Sequence, residues 1–198
     1  MDIDEQEITN LLKKKGLRAE RFTKEVQFQS KTPYFRVFKG NKLVFFCEVK
    51  TVSRDQWLDR LVKKAPPSPL TIVGGTRNDP VFNRLSNKIH EAVQQFDAVN
   101  SDVEYPNVLI FVNHDRKCGY PDLIAVTTGH FLGEGGSYPN YLQFSEGRIK
   151  EEKGRIHLYI WIDEFKGNQY LFNDSEKRHY DDLCSYFGID PESPNNIP

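Results

Sequence analysis

Glu48-Val49-Lys50 closes one of the most apolar stretches of the chain, LVFFCEVK from Leu43 to Lys50. A strand sends alternate side chains to one face, so Glu48 and Lys50 emerge together. Burying a carboxylate and an ammonium is costly unless they pair or hold a ligand. The carboxylate can hold Mg²⁺, a hard cation that prefers oxygen. The ammonium can orient or deprotonate an attacking water, or neutralise a phosphate. One acid holds a divalent ion poorly, so this chemistry asks for a second carboxylate nearby. Taken alone, an E-x-K triplet is most often an ion pair at an exposed strand end, and the elements around it must decide.

Those elements follow from periodicity and breakers. DEQEITNLLKKKGL carries Ile8, Leu11 and Leu12 at helical spacing, acids at its start, lysines at its end and Gly16 as a stop. Phe22, Val26 and Phe28 predict a first strand. Arg36–Phe38 and Leu43–Val49 predict a hairpin turning at Gly40-Asn41. The near-continuous apolar run of the second arm fits a strand covered on both faces. RDQWLDRLVKK reads as a short helix broken by APPSP.

Val81, Leu85, Ile89, Ala92, Val93 and Phe96 share one helical face, with Asn78 or Asp79 as cap and Pro80 in the first turn. NVLIFVNH is a buried strand. PDLIAVTT and HLYIWIDEF read as strands, and NQYLFND as a hairpin partner across Lys166-Gly167. GHFLGEGGSYPN reads as a glycine-rich loop and SEKRHYDDLCSYFGI as a final helix, followed by a frayed tail over 191–198. A meander followed by a helix–strand crossover implies an α/β fold, a mixed sheet flanked by helices.

The 198 residues, 38% hydrophobic, suit one domain with one core. A formal net charge of -1 makes any phosphate-binding surface a local patch rather than a global property. Three dispersed cysteines (Cys47, Cys118, Cys184) without CxxC spacing read as reduced core thiols. The acidic start, without a signal-like segment or an apolar run of membrane-spanning length, predicts a cytoplasmic protein with no membrane partner.

Other candidates have simpler readings. Pro121-Asp122 and Asp115 read as turn residues. The five histidines form no HxH or HExxH pattern, which argues against zinc. GHFLGEGGS lacks the Lys-Ser/Thr of a phosphate loop. KKKG at 13–16, KGNK at 39–42 and KK at 63–64 are solvated clusters that together can line a nucleic-acid groove. Trp161 and its aromatic neighbours read as core.

In order and spacing the chain resembles the PD-(D/E)xK nuclease superfamily, the restriction-endonuclease-like fold. A first-helix glutamate, TPYF opening the second strand, EVK ending the third and KIHEAVQQF on the next helix carry the resemblance, over residues 3 to 114. It implies an α-β-β-β-α-β core, with residues 115 to 190 adding C-terminal β-structure and a final helix. It implies a nucleic-acid partner, DNA in the first place, Mg²⁺ or Mn²⁺ as cofactor, and a homodimer as one option. Glu48 would ligate metal with the Val49 carbonyl and Glu5, or Glu7 in its stead. Lys50 would be the catalytic lysine, Gln95 would support the water or phosphate, and Lys88 would contact nucleic-acid backbone.

The departure is Tyr34, where the superfamily has aspartate after Pro33. A phenol titrating near pH 10 is a poor ligand for a hard ion. Three explanations stand: a degenerate site on a retained fold, compensation by a displaced acid such as Glu25 or Glu5, or stacking of Tyr34 on a base. The expected function is a metal-dependent nucleic-acid phosphodiesterase, an endonuclease-like hydrolase. The alternative is a catalytically degenerate nuclease-fold module that binds nucleic acid or a partner protein.

Overall fold

The structure is a computed structural model and describes residues 3–23, 25–26, 31–53, 60, 63–64, 78–133, 136–139, 149, 152–163, 167–173 and 177–192. Among these, a six-stranded mixed sheet is flanked by four helices. The helices are α1 (Ile3–Lys14), α2 (Asn78–Asn100), α3 (Tyr120–Thr128) and α4 (Tyr180–Phe187). The strands are β1 (Arg18–Arg21), β2 (Phe35–Lys39), β3 (Lys42–Val52), β4 (Asn107–Asn113), β5 (His130–Gly133), β6 (Gly136–Pro139), β7 (Leu158–Asp163) and β8 (Gly167–Phe172).

The sheet runs β1-β2-β3-β4-β7-β8. β1, β2 and β3 form an antiparallel meander, β3, β4 and β7 run parallel, and β8 returns antiparallel on β7. The parallel strands sit at the centre, and β4 is buried at every residue, as strands covered on both faces must be.

Alternation sorts the side chains onto two cores. Phe46, Val52, Leu109, Phe111, Tyr159 and Trp161 pack beneath α2 and α3. Phe35, Val37, Phe45, Cys47, Val49, Ile110 and Ile160 pack against α1 and α4. A register shift between Val37 and Phe38 lets Val44 and Phe45 both join the second core. The first turn of α1 is tied across the strand ends by Asp4, which accepts the Thr51 hydroxyl and lies 2.9 Å from His114 Nε2. α1 and α4 meet where Lys15 Nζ donates to the Phe187 carbonyl at 2.6 Å, a cation at a helix C-terminus.

Several expectations are corrected. The first strand is Arg18–Arg21, a short charged edge, and Phe22 lies beyond it with its ring stacked on Phe46 at 6.2 Å. Charged residues suit an edge that must not recruit another strand, so apolar alternation misplaces it. The PDLIAVTT stretch is helix α3, not a strand. Its residues from Asp122 to Thr127 are all buried, so no polar face marks a helical period. The Asp122 carboxylate accepts the Gly119 N–H at 2.8 Å in the first turn of that helix. The glycine-rich GHFLGEGGSYPN is in part a two-stranded hairpin, with Gly133 opposite Gly136.

The predicted β7–β8 pair, the long second helix and the final helix are present. The helix expected over 54–64 and the tail over 191–198 fall largely outside the described residues. All three cysteines are buried and free. Among the described residues, no helix is long and apolar enough to cross a membrane.

Candidate active site

β2 begins opposite Cys47, whereas β3 runs on to Val52. From Glu48 onward β3 is therefore flanked by β4 on one side and open on the other, where the chain approaching β2 passes. Glu48 lies fully buried there, on the α2 face with Phe46. Its Oε2 accepts the backbone N–H of Tyr34 at 2.8 Å. Its Oε1 faces Lys50 Nζ at 3.1 Å, an ion-pair contact without hydrogen-bond geometry.

Lys50 reaches across to α2. Its Nζ donates to Gln95 Oε1 at 2.8 Å and to Glu91 Oε2 at 3.3 Å. Gln95 Nε2 in turn donates to the Thr32 carbonyl at 3.1 Å and pins the segment that leads to Tyr34. Strand, helix and incoming chain thus share one polar network within an apolar layer. Burial pushes the Glu48 carboxyl up to about 7, although Lys50, the Tyr34 N–H and Gln95 all favour its ionised form.

A cleft of about 430 Å³ opens beside this network, lined by Glu5, Arg21, Thr32, Pro33, Tyr34, Gln95 and Lys31. Glu5 is buried and ion-paired with Arg21. The Arg21 guanidinium lies over the Tyr34 ring, 5.5 Å from its centroid. Burial raises the Tyr34 phenol, and Glu5 and Glu48 add to the rise. The antiparallel pairing of Arg21 with Phe35 is what brings the end of β1 beside Tyr34.

Five of the residues singled out in the sequence meet here: Glu5, Tyr34, Glu48, Lys50 and Gln95. Glu7 does not, since it is exposed and lines a groove with Ile162 and Asn168. Val49 turns its side chain into the α1 core while its backbone pairs with Ile110. Lys88 lies two turns before Gln95 on α2, half-buried, with burial drawing its ammonium down. Glu25 is exposed, and its carboxyl is lowered by its own backbone and by Thr23. Asp115 is buried and paired with Arg84 at 2.8 Å. Among the basic clusters, Lys15 is used on α4, whereas the cleft takes its cations from Arg21 and Lys31.

Arg21, Lys31, Thr32 and Glu91 went unnoticed in the sequence. Thr32 takes part through its backbone carbonyl, which leaves no mark on residue type.

The donors decide whether a divalent ion fits. Glu48 offers one carboxylate, with Oε2 taken by the Tyr34 N–H and Oε1 ion-paired with Lys50, while Glu5 is held by Arg21 and interacts with the Tyr34 phenol. Among the described residues, no three His, Cys, Asp or Glu side chains stand together as a metal group. A hard ion needing several oxygen ligands does not fit this set as it stands. Compared with known proteins, the chain matches no family profile, no curated protein and no solved structure.

Proposed function

We propose that this is a nuclease-fold protein of the PD-(D/E)xK kind that binds nucleic acid, DNA in the first place, without cutting it. The observation that carries this reading is the position of Tyr34. Its N–H closes one oxygen of Glu48 and its ring sits under Arg21, where a metal site would need a second acid. Arg21 and Lys31 offer charge for phosphate, and the half-buried Tyr34 offers a π-face for a base. Lys50, Glu48 and Gln95 then act as a rigid polar floor that holds the 32–34 segment in place.

A second reading, a phosphodiesterase, is favoured by a specific contact set. Lys50 stands 3.1 Å from Glu48 and 2.8 Å from Gln95, which brings together the acid, lysine and amide that the PD-(D/E)xK resemblance implies as catalytic.

Both readings meet in one experiment. Plasmid, linear duplex, single-stranded DNA and RNA are incubated with Mg²⁺ or Mn²⁺ beside wild type, Glu48→Ala, Lys50→Ala and Tyr34→Asp, and binding is followed by anisotropy in EDTA. Binding without cutting by wild type is the expected result. Metal-dependent cutting that disappears in both alanine variants establishes the hydrolase instead. Neither binding nor cutting removes nucleic acid as the partner.

A further inference from the structure

We infer that Arg21 takes the place of the divalent cation in this site, so that a phosphodiester of nucleic acid is received directly by a guanidinium. The inference rests on the nucleic-acid reading above for its ligand, but not for its claim about the cation.

Three observations converge on Arg21. Its guanidinium is ion-paired with Glu5, the first-helix acid, whose side chain is only 7% exposed. The same group caps the Tyr34 ring. It also lines the cleft of about 430 Å³ that Lys31 and Gln95 share. A buried carboxylate at the rim of a cleft requires a counter-charge. A metal would supply that charge in a site with a second acid; here the protein supplies it from β1.

The chemistry left to such a site is recognition. A guanidinium has five N–H donors in a planar fork, and a carboxylate engages at most two of them. Arg21 is 44% exposed and lines the cleft. A phosphate oxygen matches that fork, and Lys31 adds a second positive charge at the same cleft. Tyr34 occupies the position through which an acid would recruit metal, and it brings a phenol that hydrogen-bonds Glu5 and a ring that Arg21 covers, but no second carboxylate. Restoring the acid is therefore insufficient by itself, because Arg21 would pair with the new carboxylate too.

The test is Mn²⁺ titration of the full chain by electron paramagnetic resonance. It compares wild type, Tyr34→Asp, Arg21→Gln and the double variant Arg21→Gln/Tyr34→Asp, with thermal unfolding as a control for folding. Wild type and both single variants are expected to bind no more tightly than millimolar, and the double variant at least about tenfold more tightly. Micromolar Mn²⁺ binding by wild type, or a Tyr34→Asp variant that matches the double, overturns the inference. So does a folded double variant that gains nothing. A wild-type measurement stands beside these: affinity for a labelled single-stranded oligodeoxynucleotide in EDTA and in Mg²⁺ at matched ionic strength. Equal affinities are expected, with Arg21→Gln lowering the log–log salt slope by roughly 1. A gain of about tenfold or more on adding Mg²⁺ sinks the substitution of arginine for metal. Absence of any oligonucleotide binding defeats the nucleic-acid reading, while the Mn²⁺ titration still decides the role of Arg21.

Discussion

The backbone N–H of Tyr34 donates to Glu48 Oε2 at 2.8 Å, just beyond the point where β2 stops pairing with β3. A main-chain donor satisfies this acid whatever side chain follows Pro33. The hydrogen bond to Glu48 is therefore independent of the side chain at position 34. Four expected outcomes follow, three from this network and one from the end of α4 on the opposite face of the sheet.

Glu48 titrates near 4.5 in an unfolded chain and about 7 in the fold. Between those values the folded state holds more protons, so its contribution is full below the lower value and lost as pH rises through the upper one. Between pH 5 and pH 8 wild type is expected to lose roughly 3 kcal/mol more stability than Glu48→Gln. Urea unfolding of both proteins at the two pH values measures the difference, and parallel pH dependence would falsify it.

Lys50 is the counter-charge of a buried acid, with side-chain exposures of 12% and 1% for the pair. Lys50→Met is expected to destabilise by about 3 kcal/mol at pH 8, where it strands an ionised carboxylate. The loss shrinks at pH 5, where Glu48 is protonated. An equal loss at both pH values would show that packing of the lysine stem, not charge, is what the substitution removes.

Gln95 holds the approach to β2 by its bond to the Thr32 carbonyl. Gln95→Ala removes about 1 kcal/mol of support. The Tyr34 amide should then exchange with deuterium several-fold faster, while amides of β4 keep their protection. Unchanged exchange at Tyr34 would mean that the Glu48 bond alone fixes the segment.

Gly188 ends α4 in a left-handed conformation at φ 64°, beside the Lys15 ammonium that caps the helix. Gly188→Ala is expected to cost about 1 kcal/mol. Gly154, without a positive φ and with open space around it, serves as the control, and Gly154→Ala should be close to neutral. Thermal unfolding compares them; similar midpoints for the two variants contradict the assignment.

Local chemistry alone determines a good part of this molecule. The period of Val81, Leu85, Ile89 and Phe96 makes α2, and Gly40-Asn41 makes the β2–β3 hairpin. The parity of Glu48 and Lys50 on β3 puts both on the face that α2 covers, and Gln95 arrives there because it is on that helix. Each of these depends on neighbours in the chain or on an interval that a strand or helix fixes.

The rest was decided by tertiary structure. The run through Leu123, Ile124, Ala125 and Val126 is apolar all round because both faces of α3 are covered, and a segment with no exposed face carries no period to read. Arg21 became a site residue only through the register that sets it against Phe35. Glu5 lines the cleft and Glu7 does not because of which face of α1 meets it, a rotation fixed by Ile8 and Leu12 packing on the sheet. Sequence supplied the acid, the lysine and the amide. Which cation answers the first-helix acid depended on the lateral pairing of β1, and no spacing along the chain encodes that contact.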